Sequence, residues 1–234
     1  MLALTRLVHV LAVGLWFGSA VFFTFVVGLS LFNTFEELTG RPAGDRPFWL
    51  PAPPELEKAP PSQRFPDPLR KEQGSRIAGA AVGPMFPWYY GLQLACGVLA
   101  LATALAWLGQ PGAVPKVRVA VLALAVAAVV AGWWLERKVE DLRVRRSEAS
   151  DAVLTGAAPT AEQVAAADQA RAEFGRWHGY SLFVNFLALA LVTAATALAA
   201  WLPSSPTAPA AEAWRAPAAA APPSEAVRPG PPRP

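Results

Sequence analysis

FGRWHGYSLFVNFLALALVTAATALAAWL, residues 174–202, is the stretch whose reading decides the fold. Beyond its opening it is almost continuously apolar, and at about 1.5 Å of rise per helical residue it is long enough to cross roughly 30 Å of hydrocarbon. Yet it begins with Arg176 and His178 and carries Ser181 and Asn185 inside the apolar run. Three more runs of similar length, residues 7–32, 84–108 and 117–135, lie upstream of the fourth at 178–202. In a chain of 234 residues with 54% hydrophobic residues and a mean hydropathy of +0.32, they predict an integral membrane protein. Only helices and closed barrels satisfy their backbones in lipid, and these runs are too long for barrel strands. The expected fold is therefore all-α, a bundle of four transmembrane helices.

The first run exceeds the roughly 7–15 apolar residues of a signal-peptide core and no small-residue cleavage site follows, so residues 1–32 read as a retained span. The single cysteine, Cys96, falls inside the second span and leaves no thiol pair for a disulfide or a metal. Residues 33–66 form a proline-rich insert unsuited to regular structure. Asp67-Pro68 then reads as a helix start, with residues 67–83 expected as an amphipathic helix on the membrane surface. The third span continues without a breaker into charged sequence, and Thr160 with Gln163 makes a capping box ahead of the fourth. Residues 136–177 are thus expected to extend spans three and four as a helical hairpin outside the bilayer. Its run from Glu136 to Arg146 mixes both signs at helical spacing, which describes a solvated face and argues against nucleic acid as a partner. The Ala/Pro-rich tail, residues 203–234, holds too few large apolar side chains to pack and is expected to be disordered.

Lysine and arginine near span ends are retained on the cytoplasmic side. The two long connections that share one face carry seven Lys/Arg each, whereas the face of the termini has only Arg6, Lys116 and Arg118 near the spans. Both termini are therefore expected outside and the hairpin in the cytoplasm, in a bacterial inner membrane.

Counting inward from the cytoplasmic boundary, His178, Ser181 and Asn185 fall at i, i+3 and i+7 on one face of span four. Tyr89, Tyr90 and Gln93 begin span two from the same boundary, Thr24 ends span one there, and Glu136 leaves span three near the depth of His178. Tyr89, Tyr90, Gln93, Glu136, His178, Ser181 and Asn185 are thereby expected to form a polar cluster in the cytoplasmic half, the candidate binding site. The same uncharged residue types also serve as interhelical glue, at about 0.6 kcal/mol per contact. His9 lies near the opposite boundary, too far from His178 for both to hold one haem iron, and is the candidate axial ligand if haem b is bound. Gly14-xxx-Gly18 has the spacing of a close helix contact.

Three motifs carry a resemblance: H-x6-W-x-G at His9, Trp16 and Gly18; F-P-x-Y-Y at Phe86, Pro87, Tyr89 and Tyr90; and H-G-x-S-x-x-x-N at His178, Gly179, Ser181 and Asn185. In this order they resemble the transmembrane protein 205-like family, also catalogued as a domain of unknown function. The resemblance covers most of the chain except the proline-rich insert and the tail. It implies a four-helix integral membrane protein without an established enzymatic activity. The haem alternative is similar to bacterial four-helix haem proteins such as the membrane protoporphyrinogen oxidase, but here no basic residue follows within the first span or occurs inside the fourth. The expected function is a small binding or transport-like module with an unidentified small-molecule or ion ligand and no catalytic residues. A membrane scaffold or interaction protein with no site is the first alternative, and the haem protein the second; the lipid bilayer and a second copy of the chain are the expected partners.

Overall fold

The computed structural model describes residues 2–51, 67–154 and 159–202. Every regular element among them is helical: α1 (Leu2–Val21), a π-helical segment (Phe22–Gly28), α2 (Leu29–Gly40), a 3-10 turn (Ala43–Asp45), α3 (Asp67–Val82), a second 3-10 turn (Gly83–Met85), α4 (Phe86–Leu105), α5 (Val114–Leu154) and α6 (Ala161–Ala199). Because α1 runs through the π-helical segment into α2, and α3 through its turn into α4, the elements make four long helices. Each is long and apolar enough to cross a membrane.

The helix boundaries depart from the spans read off hydropathy. The first helix does not stop at residue 32 but continues to Gly40, because LSLFNTFEEL contains neither Gly nor Pro and chain extension ends only at Gly40 and Pro42. Residues 67–82, expected as a surface helix, are helical, lead through the Gly83–Met85 turn into α4 and pack on α2. That contact is close: a Cβ on Gly74 would lie 2.7 Å from the Phe35 carbonyl oxygen and from Thr39 Oγ1, so only glycine fits. Ser75 donates to Glu36 at 3.1 Å and Arg46 to Gln73 at 3.0 Å along the same seam. The capping box at the start of α6 is present, with Gln163 N donating to Thr160 Oγ1 and Thr160 N to the Gln163 side chain. The connection at 155–158, the centre of the proline-rich insert at 52–66 and the tail at 203–234 lie outside the described residues.

Within the apolar segments α1 packs on α4 and α6, α4 on α5, and α5 on α6. Their shared core is built from small side chains, among them Ala100, Ala104, Ala125, Ala128, Ala188 and Ala195, around the fully buried indole of Trp16. Small residues let backbones approach where lipid supplies no hydrophobic drive between helices. Gly97 is one such position, since a Cβ there would come within 2.7 Å of the Trp16 ring. Gly14 and Gly18, in contrast, meet nothing within 4 Å, so the spacing that suggested a close helix contact is not used between the described residues. The outer faces carry large apolar side chains in the open, such as Leu11, Leu124, Trp134 and Phe183, a surface suited to hydrocarbon and not to water. Between α4 and α5 the chain reverses at Gly112, whose φ of +102° suits glycine.

Candidate functional site

The polar residues of spans two and four meet the first helix where its hydrogen-bond pattern widens. The π-helical segment Phe22–Gly28 inserts extra backbone width into the helix and turns Phe23, Thr24 and Gly28 toward α4 and α6. Asn185 on α6 joins the three elements: its Nδ2 donates to Thr24 Oγ1 at 3.0 Å and its Oδ1 accepts from the Tyr89 hydroxyl at 3.1 Å. Tyr89 in turn stacks on Phe23, with centroids 4.1 Å apart and planes at 16°. Tyr90 stacks on Trp133, and its ring is seated over Gly132, where a Cβ would lie 3.1 Å away.

This arrangement lines a half-open cavity of about 320 Å³ with walls from all four long helices. Of the seven residues expected to cluster, Tyr89, Tyr90, Glu136, His178, Ser181 and Asn185 line it. Gln93, the seventh, is not among the lining residues; it is buried a turn deeper, where its Oε1 accepts from Trp16 Nε1 at 2.9 Å. Phe23, Leu29, Phe32, Val82, Phe86 and Leu182 supply the apolar walls. A second cavity, of about 280 Å³, adjoins the first toward the charged helix extensions and shares Phe32, Val82, Phe86, Glu136 and His178 with it. Its other walls include Ser75, Gly79, Glu140, Arg143, Arg146 and Phe174.

Glu136 and His178 reach the same space without pairing with each other. The imidazole of His178 stacks on Phe174, with centroids 5.5 Å apart and planes at 8°. Arg143, about two turns beyond Glu136 on α5, donates to the Gly79 carbonyl at 2.6 Å and to Glu140 at 3.1 Å, and so closes α5 onto α3. Arg146 lies over the Phe174 ring at 4.4 Å.

His9 sits at the other end of the apolar segments. Its Nδ1 faces the Ala100 carbonyl oxygen at 3.1 Å and Thr103 Oγ1 at 2.8 Å, and its ring meets Trp107 edge-on at 5.2 Å. The side chain has no exposed surface, so an iron could reach Nε2 only if the surrounding helices opened. Among the described residues no group of three or more His, Cys, Asp or Glu side chains converges as a metal site would require.

Two buried positions escaped the sequence reading. Trp16 entered the sequence reading only as part of the H-x6-W-x-G motif, but it is the centre of the core. Arg118 was counted only as a charge near a span end; it is buried, and its Nη2 donates to the carbonyl oxygens of Leu198 and Trp201 at 3.1 and 3.2 Å. A cation there meets the negative end of the α6 dipole and adds a second bond at the Leu198 carbonyl, which already accepts from Trp201 N. The signal available was its placement one turn inside α5, level with the last turn of α6.

Compared with models of known protein families, with curated proteins and with solved structures, the chain matches none.

Proposed function

We propose that this chain is a four-helix bundle of a bacterial inner membrane that binds a small, largely apolar molecule between its helices, as a binding or transport-like module. The observation that carries the reading is convergence: polar side chains from α4, α5 and α6 meet Thr24 of the first helix around one aromatic-walled cavity. A cavity of about 320 Å³ is within the roughly 300–1,000 Å³ range of small-molecule sites, and apolar walls with a few placed polar groups are their usual lining. Trp88, Trp134, Trp177 and Tyr180 lie near the level of this cavity, as side chains of an aromatic belt do at a membrane boundary. On this reading the extensions of all four helices lie on the cytoplasmic side and the cavity opens in the cytoplasmic half. The three motifs that resemble the transmembrane protein 205-like family support membership in it, and two of them, at residues 86–90 and 178–185, contribute to the cavity wall.

The test is to fill the cavity without disturbing the helix that lines it. A Cβ on Gly28 would make only an ordinary contact, 3.5 Å from the Phe23 carbonyl oxygen, so Gly28→Leu has room to enter. Small uncharged aromatic compounds are expected to raise the thermal stability of the protein in nanodiscs through binding to the folded state, and Gly28→Leu to abolish that rise. An equal rise in both proteins sinks the reading.

The scaffold alternative draws on one observation, the open face at Gly14 and Gly18, where a second copy could approach. Disulfide crosslinking of Gly14→Cys in a Cys96→Ala background distinguishes it, with no crosslinked dimer expected for the binding module. Purified protein is expected to show no Soret absorbance; a Soret band lost in His9→Ala would establish the haem alternative.

A further inference from the structure

We infer that the molecule bound in this cavity is a hydrophobic organic cation, an aryl or alkyl quaternary ammonium in chemical class; the inference rests on the binding reading above and names its ligand. Phe23, Phe86, Tyr89 and Tyr90 form one continuous wall, with Phe23 stacked on Tyr89 at 4.1 Å, Phe23 meeting Phe86 at 5.4 Å and Phe86 facing Tyr90 at 6.2 Å. Ring faces carry partial negative charge and attract a cation within about 6 Å, most of all one that sheds water easily, as a quaternary ammonium does. A carboxylate completes the set. Glu136 lines the same cavity, half-buried, and makes no hydrogen bond or ion pair among the described residues. Arg137 and Lys138, which follow it on α5, lie over the Trp133 and Trp177 rings, and Arg143, whose charge is felt at Glu136, donates its hydrogen bonds to Gly79 and Glu140.

The other charged groups at this level, Arg143, Arg146 and Glu140, line the adjoining cavity and not this one, and Arg146 is drawn onto Phe174. Glu136 is thus the carboxylate of the aromatic cavity, with His178, Tyr89 and Tyr90 as its other titratable neighbours. A half-buried carboxylate with no hydrogen bond or salt bridge is costly, and a cation delivered into contact with it offsets part of that cost on binding. An anionic ligand would meet both the ring faces and Glu136 with repulsion. An uncharged ligand would gain the apolar walls and leave the carboxylate as it was.

Three probes of one shape separate these cases: benzyltrimethylammonium, its uncharged isostere neopentylbenzene, and phenylmethanesulfonate. Binding is read by equilibrium dialysis against the full chain in nanodiscs, with empty nanodiscs subtracted. The cation is expected to bind at least about tenfold more tightly than the uncharged isostere, and Glu136→Gln to remove that advantage while leaving the isostere's binding unchanged. Glu136→Asp, which keeps the charge, is expected to restore most of it, and monodisperse elution of each variant checks its fold. Equal binding of cation and isostere, or a cation affinity that survives Glu136→Gln, overturns the inference while the cavity reading stands on the isostere and its loss in Gly28→Leu. Binding of none of the three overturns it as well, and the thermal comparison with Gly28→Leu then judges the cavity reading separately.

Discussion

Trp16 and Asn185 show how much a single side chain decides in a bundle made mostly of alanine, valine and leucine. The indole fits because Gly97 has no side chain, and its N–H is satisfied by Gln93. Buried indoles with that bond unmade are expensive. Gly97→Leu should therefore overpack the core and cost about 1–3 kcal/mol, seen as a lower midpoint of thermal unfolding in detergent. Asn185 makes a different demand, because its two bonds cross from α6 to the first helix and to α4. Asn185→Leu should cost only roughly 0.6–2 kcal/mol, since leucine is at home among apolar helices. It should nonetheless weaken ligand binding, because Thr24 and Tyr89 lose the group that orients them. Unchanged ligand affinity in that variant would make the network interhelical glue.

Helix continuity is the property that carries the cavity beyond hydropathy windows. The first helix passes through the π-helical segment, presents Phe23, Thr24 and Gly28, and keeps going until α2 meets α3. Gly74 is the narrowest point of that meeting, with backbone and hydroxyl atoms 2.7 Å from where a Cβ would be. Gly74→Val is expected to separate α2 from α3 and to expose the 36–46 region to protease in intact nanodiscs, with the wild-type protein resistant under the same conditions. At the other hairpin, Thr160→Ala removes both the side-chain acceptor for Gln163 N and half of a reciprocal cap. The expected cost is about 1 kcal/mol, measured as earlier fraying of α6 by hydrogen exchange.

The direction of insertion proposed above rests on charge. Both hairpins carry the basic residues that membranes retain on the cytoplasmic side, and the turn between α4 and α5 lies at the opposite end. In a Cys96→Ala background, Gln110→Cys should react with an impermeant thiol reagent added to intact cells, and Glu148→Cys should react only after lysis. The reverse pattern would invert the topology and put the cavity at the outer boundary.

The number of long helices, their apolar character and the capping box were legible because each depends on neighbours along the chain: apolar run length, helical spacing, and a Thr three residues before a Gln. The convergence of Tyr89, Glu136, His178, Ser181 and Asn185 was also approachable, since depth in a membrane can be counted from a common boundary at a fixed rise per residue. What the chain alone left undecided was rotation and partnership. A hydropathy window reports how apolar a helix is and not which face meets which neighbour. The pairing of Gln93 with Trp16, the burial of Arg118 against the end of α6, the docking of α3 on α2 and the open face at Gly14 and Gly18 all depend on that choice. Hydrogen bonds between helices reach across as many as 161 residues of sequence here, as between Thr24 and Asn185, and packing in three dimensions is what selects them.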